Sequence, residues 1–375
     1  MRIRPFLIEQ YYARHEHSAR HLLSSTDCES MAMDELVSWA DDELRGLWDD
    51  LRLGYTDPQG HPLLRRGVAG LHPGVEPGDV CVLVPEEAVF VAVNILVAPG
   101  DRVVCTYPAF QSLWAVAEAI GAEVRYWTPD ESPEWRFDPD ALARLVDERT
   151  SAVIVNFPHN PTAALPSRAD YERVFAIARD CGARVFSDET FRGLEHDPGD
   201  RLPSAVEIDD RALSLFSLSK THGLPGLRIA ALLSRDEKLV RDVQELKYYT
   251  TICNSAPSEL LATVAVRHHE RILARNRKRI ALNRDALARF MSEHRATFSW
   301  SPPRAAGFCF PRLLTGESSS RFAGRALEER GIMIAPSAVF PWDDDHIRIG
   351  LGRDDLPHVL DVLDDWLRAG GGRDA

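Results

Sequence analysis

Nowhere in the 375 residues does an apolar run reach the length that a bilayer demands: the longest, such as residues 90–98, are too short and too interrupted. The start, Met1-Arg-Ile-Arg-Pro5, lacks the apolar block of a secretory signal, so a cytoplasmic protein without a membrane partner is expected. Cysteine is sparse and scattered. Cys28, Cys81, Cys105, Cys181, Cys253 and Cys309 form no C-x-x-C pair and no Cys/His cluster of metal-site spacing, so six structural thiols and no metal are expected. Positive charge is in deficit, with 44 Lys and Arg against 57 Asp and Glu and a net charge of −13. That balance argues against nucleic acid or an anionic membrane as the main partner and favours a cationic small substrate. The basic stretch 267–289 is interrupted by Glu270 and Asp285 and reads as a solvated helix face.

What is present is a chain too long for one hydrophobic core, 45% apolar and 27% charged, as in ordinary globular proteins. From about residue 79 to 233, short β-branched runs alternate with segments of helical period, which predicts an α/β fold with a mainly parallel sheet. The predicted strands are 80–84, 102–105, 152–156, 184–187, 212–216 and 228–233, with a crossover helix at 168–181. Beyond residue 258 the pattern turns to long helices and then to a smaller α+β unit with strands at 307–310 and 346–350. The expected division is an N-terminal arm or lid over 1–46, packing with the small domain, a large domain over 47–275 and a small domain over 276–375.

The polar clusters of the large domain fall at predicted strand carboxyl ends, where open α/β sheets bind ligands. Ser217-Leu-Ser-Lys220-Thr-His-Gly-Leu-Pro-Gly-Leu-Arg228 places a hydroxyl three residues before a lysine and an arginine eight after it. Together they can hold a phosphate while the amine acts as a nucleophile. Phe186-Ser-Asp188-Glu-Thr-Phe191-Arg ends a second strand with a carboxylate, and Asn156-Phe-Pro-His-Asn160-Pro-Thr162 ends a third.

In this order and spacing the three motifs resemble the class I/II aminotransferases of fold type I, which use pyridoxal 5'-phosphate. The resemblance runs from Gly54-Tyr55-Thr-Asp-Pro-Gln-Gly60 to His346-Ile-Arg348. It implies that Lys220 holds the cofactor's aldehyde carbon and shuttles the proton at the substrate's Cα. Asp188 would pair with the pyridine N–H, which keeps the ring able to absorb electrons. Asn160 matches the partner of the ring's 3-oxygen, Phe110 the aromatic stacked on the ring, and Ser217 and Arg228 the phosphate ligands. Tyr55 matches a tyrosine that reaches the phosphate from a neighbouring subunit, implying a homodimer with active sites at the subunit interface. Arg348 matches the clamp on the substrate's α-carboxylate, to which a guanidinium's planar fork is suited.

Two departures stand out. Where a small residue and glycine usually open the phosphate cradle, this chain has Val84-Pro-Glu-Glu-Ala88, so the main-chain N–H groups of Glu86 and Glu87 are expected to do the cradling, with both side chains turned away. Phe191 stands where ordinary aminotransferases mostly have tyrosine, a change found among such enzymes that oxidise arginine. Ser18 to Ser30, with Leu53 to His61 and Lys247 to Pro257, also resembles the subgroup containing the capreomycidine synthases, which cyclise 3-hydroxyarginine in making peptide antibiotics. The expected activity is therefore a lyase/cyclase on an arginine-derived amino acid, with an aminotransferase as the alternative. Glu9, Glu16, Asp27 and Glu29 are candidate partners for a guanidinium. His15, His17, Lys220 and Thr190 are candidate acids for the leaving hydroxyl.

Overall fold

The structure is a computed structural model that describes residues 1–131 and 135–371. Its centre is a seven-stranded sheet in the order Val80–Leu83, Ala230–Leu233, Leu213–Ser217, Arg184–Asp188, Thr150–Asn156, Arg102–Thr106 and Glu123–Trp127. Only Ala230–Leu233 runs antiparallel to its neighbours. Every residue of Val80–Leu83, Arg102–Thr106 and Ala230–Leu233 is buried, as expected of strands covered on both faces. The helix Arg168–Asp180 shows why the crossovers form. Ser167 caps it by accepting from the Asp170 N–H, and Tyr171, Val174, Phe175 and Ala178 fall on one buried face against the sheet.

The six predicted strands are all present, with ends shifted by a residue or two, and the sheet is the mixed, mostly parallel one expected. The seventh, Glu123–Trp127, was not foreseen. It is an edge strand in which Glu123 and Arg125 alternate with Val124 and Tyr126, so it lacks the continuous apolar run of a central strand. Its charged face is put to use: Arg102, Glu123 and Asp147 form an ion-pair cluster at that edge.

Beyond the sheet, the helix His269–Glu293 runs unbroken for 25 residues, roughly 37 Å at 1.5 Å per residue. Its Ile272 packs into the core behind the sheet, whereas Leu273, Ile280 and Leu287 belong to a second core with Phe322, Leu363 and Trp366. The expected boundary at 275/276 thus falls inside continuous helix. The second core is completed by a three-stranded antiparallel sheet, Phe308–Cys309, Ile347–Gly350 and Ala335–Pro336. The N-terminal arm contributes His21–Leu22 as a parallel strand beside Ile332–Met333. The six cysteines are free, and among the described residues no helix is long and apolar enough to cross a membrane.

Candidate active site

Three adjacent parallel strands end side by side on Asn156, Asp188 and Ser217. The first two ends are tied together: Asn156 Nδ2 donates to the Asp188 carbonyl at 2.9 Å, and Asn156 Oδ1 accepts from the Asn160 N–H at 2.8 Å. They floor a cavity of about 460 Å³, of the size that holds a small cofactor and substrate, into which Asn160, Asp188, Phe191, Lys220, Arg228 and Arg348 all project.

Asp188 is buried, and burial raises its carboxyl above the usual carboxylate range. Its carboxylate accepts from the Thr190 N–H at 3.1 Å and the Thr190 hydroxyl at 2.6 Å, both at Oδ1, and no basic side chain among the described residues is paired with it. A desolvated carboxylate without a cation is costly unless something else supplies the charge or the proton. Burial lowers the Lys220 amine; nearby Arg348 lowers it further, while Asp27, Glu9 and Glu16 act in the opposite sense. A lysine so placed is more available as a neutral nucleophile or base than a surface lysine. Ser217 Oγ accepts from the Ser219 N–H at 3.2 Å, whereas the buried Ser219 hydroxyl has no partner among the described residues. Arg228 is exposed, with a left-handed φ of 55° at the turn that follows Pro225–Leu227.

Arg348 is buried, and the protein itself engages three of its donors: Nε to the Ser24 carbonyl at 3.2 Å, Nη1 to Asn160 Oδ1 at 3.0 Å and Nη2 to the Tyr12 hydroxyl at 2.8 Å. A guanidinium has five N–H groups, so donors remain for an incoming carboxylate. Tyr12 and Ser219 were missed in the sequence: nothing in the local pattern marks Tyr12 as the residue that links the first helix to Arg348, and Ser219 stood in the shadow of Ser217.

The N-terminal arm forms another wall. Its helix Leu7–His15 and the segment after it bring Glu9, Tyr12, Glu16, Thr26 and Asp27 to the cavity. Close backbone approach seats that segment. At Gly223 (φ 65°) a Cβ would press on the carbonyls of Cys28 and Glu29, and at Gly350 one would overlap the Ser25 backbone, so no larger residue fits at either place. Through this approach the Cys28 N–H donates to the Lys220 carbonyl at 3.2 Å.

Several expected residues lie elsewhere. Glu29 does not line the cavity: its carboxylate accepts from the Asp354 N–H at 3.0 Å and faces Arg353 at 3.5 Å. His15 and His17 are also outside the lining, and His15 packs edge-on against Tyr11. Glu87 turns away as expected, because its carboxylate caps the helix Pro85–Leu96 by accepting from the Val84 N–H at 3.0 Å and takes the Thr251 hydroxyl at 2.7 Å. Glu86 does not. Its side chain lines the cavity, contrary to the expectation that it would point away, and burial pushes its carboxyl up to about 7. Tyr55 is 91% exposed and outside this chain's cavity, beside Leu53 and the segment from Cys253 to Pro257. Phe110 lines the cavity with the arm's Phe6 packed against it at 5.0 Å between ring centroids.

The family described as Aminotransferase class I and II matches residues 22–363. Capreomycidine synthase of Streptomyces vinaceus is 29% identical over 313 residues, covering 82% of this chain and 79% of that protein. Among solved structures, a PLP-dependent aminotransferase from Streptococcus suis 89-1591 superposes with a TM-score of 0.92 at 27% identity, covering 98% of this chain and 99% of the other. The PLP-dependent cyclase OrfR superposes with a TM-score of 0.89, also at 27% identity, covering 99% and 98%.

Proposed function

We propose, for a chain that belongs to the aminotransferase class I and II family, that it is a lyase/cyclase of antibiotic biosynthesis that removes water from 3-hydroxyarginine and closes the guanidine onto Cβ. Its cofactor is pyridoxal phosphate, as in the solved relatives. The cavity fits that group: a buried carboxylate without a cation suits a ring N–H, the unpartnered Ser219 hydroxyl suits a phosphate oxygen, and Lys220 suits an aldehyde carbon. In this reading Lys220 and Asp188 are the catalytic pair, Asn160 and Phe110 hold the ring, and Ser217, Ser219 and Arg228 hold the phosphate. Tyr55, exposed on its own chain, completes the phosphate site of a second copy in a homodimer. Arg348 clamps the substrate carboxylate.

When bound, the cofactor supplies an electron sink for negative charge at the substrate's Cα. Lys220 takes the Cα proton and, at the end, delivers a proton to Cα. Between those steps the Cβ hydroxyl leaves as water, taking a proton from an acid in the cavity, and a terminal guanidine nitrogen bonds to Cβ and gives up a proton. The net change is one C–O bond broken, one C–N bond formed and one water released, without oxidation. The new ring counts Cβ, Cγ, Cδ, Nδ, Cζ and nitrogen, six atoms, and an intramolecular closure of that size has a high effective molarity. Thr190 lines the cavity but its hydroxyl is committed to Asp188 Oδ1, so Lys220 is the better placed acid, and the proton given up by the guanidine recharges it for the return to Cα.

The observation that carries the substrate reading is the charge of the arm. Glu9 and Glu16 line the cavity, and neither is paired with a basic side chain among the described residues; Asp27 stands beside them, 3.4 Å from Arg353. Unpaired carboxylates lining the cavity that Arg348 also lines suit an amino acid with a cationic end. Transamination of the same class of substrate is the second reading, favoured by the equal identity to the aminotransferase from Streptococcus suis. Incubating the holoenzyme with 3-hydroxyarginine, with and without a 2-oxo acid, separates the two by product mass. Loss of one water without a 2-oxo acid supports the cyclase; amino-group exchange that requires the 2-oxo acid overturns it.

A further inference from the structure

The side chain of Glu86 occupies an unusual position. It belongs to the first turn of the twelve-residue helix Pro85–Leu96 and lines the same cavity as Ser217, Ser219 and Arg228, within electrostatic reach of the Arg228 guanidinium. An anion is welcome at such a helix start, yet this chain places a carboxylate of its own there. Glu87 cannot exchange roles with it, because Glu87 is held by the Val84 N–H and by Thr251. Ser112, on the neighbouring helix Ser112–Ile120, lies against the Glu86 carboxyl.

We infer that Glu86 holds the cofactor's phosphate as a neutral carboxylic acid, donating its proton to a phosphate oxygen, so that cofactor binding takes up a proton. An ionised Glu86 would face a phosphate dianion in a water-poor cradle, where like charges repel strongly. The protonated acid removes that repulsion and adds a donor where Pro85 has none. The groups around Glu86 favour the neutral form in balance. Burial raises its carboxyl to about 7, Glu9 of the arm and Asp188 of the sheet push in the same direction, and Ser112 and Arg228 push against it. Lys220, Arg348, Glu16 and Asp27 share the cavity but are common to both forms of any Glu86 variant.

The sign follows from linkage. Below about pH 7 the acid is already neutral before the cofactor arrives, and no proton moves. Above it, binding must bring a proton, so affinity falls by up to about tenfold per pH unit. Other groups titrate too, including Lys220, so the readout is the ratio of pyridoxal phosphate dissociation constants, wild type to Glu86→Gln, measured by absorbance and fluorescence between pH 6 and 9. Gln keeps the shape and a donor without the charge. The expected ratio is near one at pH 6 and about tenfold at pH 8. Pyridoxal, which lacks the phosphate, should show no such change. A ratio independent of pH overturns the inference, as does an equal change with pyridoxal. Should Glu86→Gln fail to fold, wild type decides alone: calorimetry at pH 8 in buffers of different ionisation enthalpy should find pyridoxal phosphate taking up close to one proton more than pyridoxal, and no difference overturns it. The inference depends on the cofactor and not on the substrate, so it survives if transamination proves to be the reaction.

Discussion

The two walls of the cavity are built differently. One is the edge of the sheet, where Asn156, Asp188 and Ser217 are last residues of buried strands joined to buried neighbours, and their backbones cannot shift without breaking the sheet. The other is the arm, whose nine-residue helix Leu7–His15 buries only Ile8 and leaves Glu9 exposed. It is moored at points: the Leu7 N–H to Gln111 Oε1 at 3.0 Å, the Tyr11 hydroxyl to the Ile334 carbonyl at 2.7 Å, and Tyr12 to Arg348. Groups that must sit within tenths of an ångström of a reacting atom belong on the first wall, and groups that choose among substrates can sit on the second. Chemistry and specificity should therefore fail separately.

The sharpest break of that division is at Lys220. Lys220→Ala should fold, lose the visible absorbance of bound cofactor, and lower turnover by about 10⁴-fold; retained absorbance would contradict the assignment. Next is Asp188→Ala, which should still bind cofactor yet lower kcat by about 10²–10³-fold, because a preorganised charge at the electron sink is gone. KM should change little. If KM rose while kcat held, the sheet edge would be selecting substrate and the comparison would fall.

On the arm the expected pattern is inverted. Glu9→Gln with Glu16→Gln should raise KM for an arginine-type substrate by about 10–30-fold, two charge-assisted contacts on a partly exposed arm being worth less than buried ones, with kcat near wild type. Glu29→Gln is the internal control. It keeps its place against Arg353 and the Asp354 N–H, away from the cavity, and should leave KM unchanged in steady-state assays with the same substrate.

The same division explains what could be read from the sequence. Strand ends carry their own punctuation: an apolar run that stops at Asp188 or Ser217 names both the element and the functional residue, and the lysine follows at a fixed spacing. The edge strand Glu123–Trp127 escaped because its outward charges interrupt the run. The arm has no such grammar. Whether Asp27 or Glu29 faces the cavity depends on how the backbone of 25–29 passes Gly223 and Gly350, a contact between segments roughly 200 to 325 residues apart. Glu86 was misjudged for a related reason. A rule that keeps carboxylates from phosphate holds for ionised carboxylates, and only the three-dimensional surroundings reveal a site that favours the acid.

The smallest expected effect lies where the walls meet, at Phe191. This ring is buried in an apolar cluster with Ala163, Ala306 and Phe308, 4.8 Å between the centroids of Phe191 and Phe308, and its edge lines the cavity. In Phe191→Tyr the new hydroxyl has no partner among those neighbours, so without cofactor it is satisfied only by an ordered cavity water, at a cost of about 0–2 kcal/mol. Bound cofactor can relieve that cost by accepting the hydrogen bond on its ring 3-oxygen. The variant should therefore melt below wild type without cofactor and recover most of the difference with it, a pair of Tm values that a merely misfit side chain would not give. The same bond, worth about 0.5–1.5 kcal/mol net, can shift partitioning by about 2–10-fold. In single turnovers with 3-hydroxyarginine, the ratio of amino group kept on the cofactor to cyclic product released should rise. Recovery of Tm with an unchanged ratio would mean that the hydroxyl reaches the ring while partitioning is governed by protonation of the leaving hydroxyl at Cβ, and the acid to pursue would then be Lys220 rather than any group near Phe191.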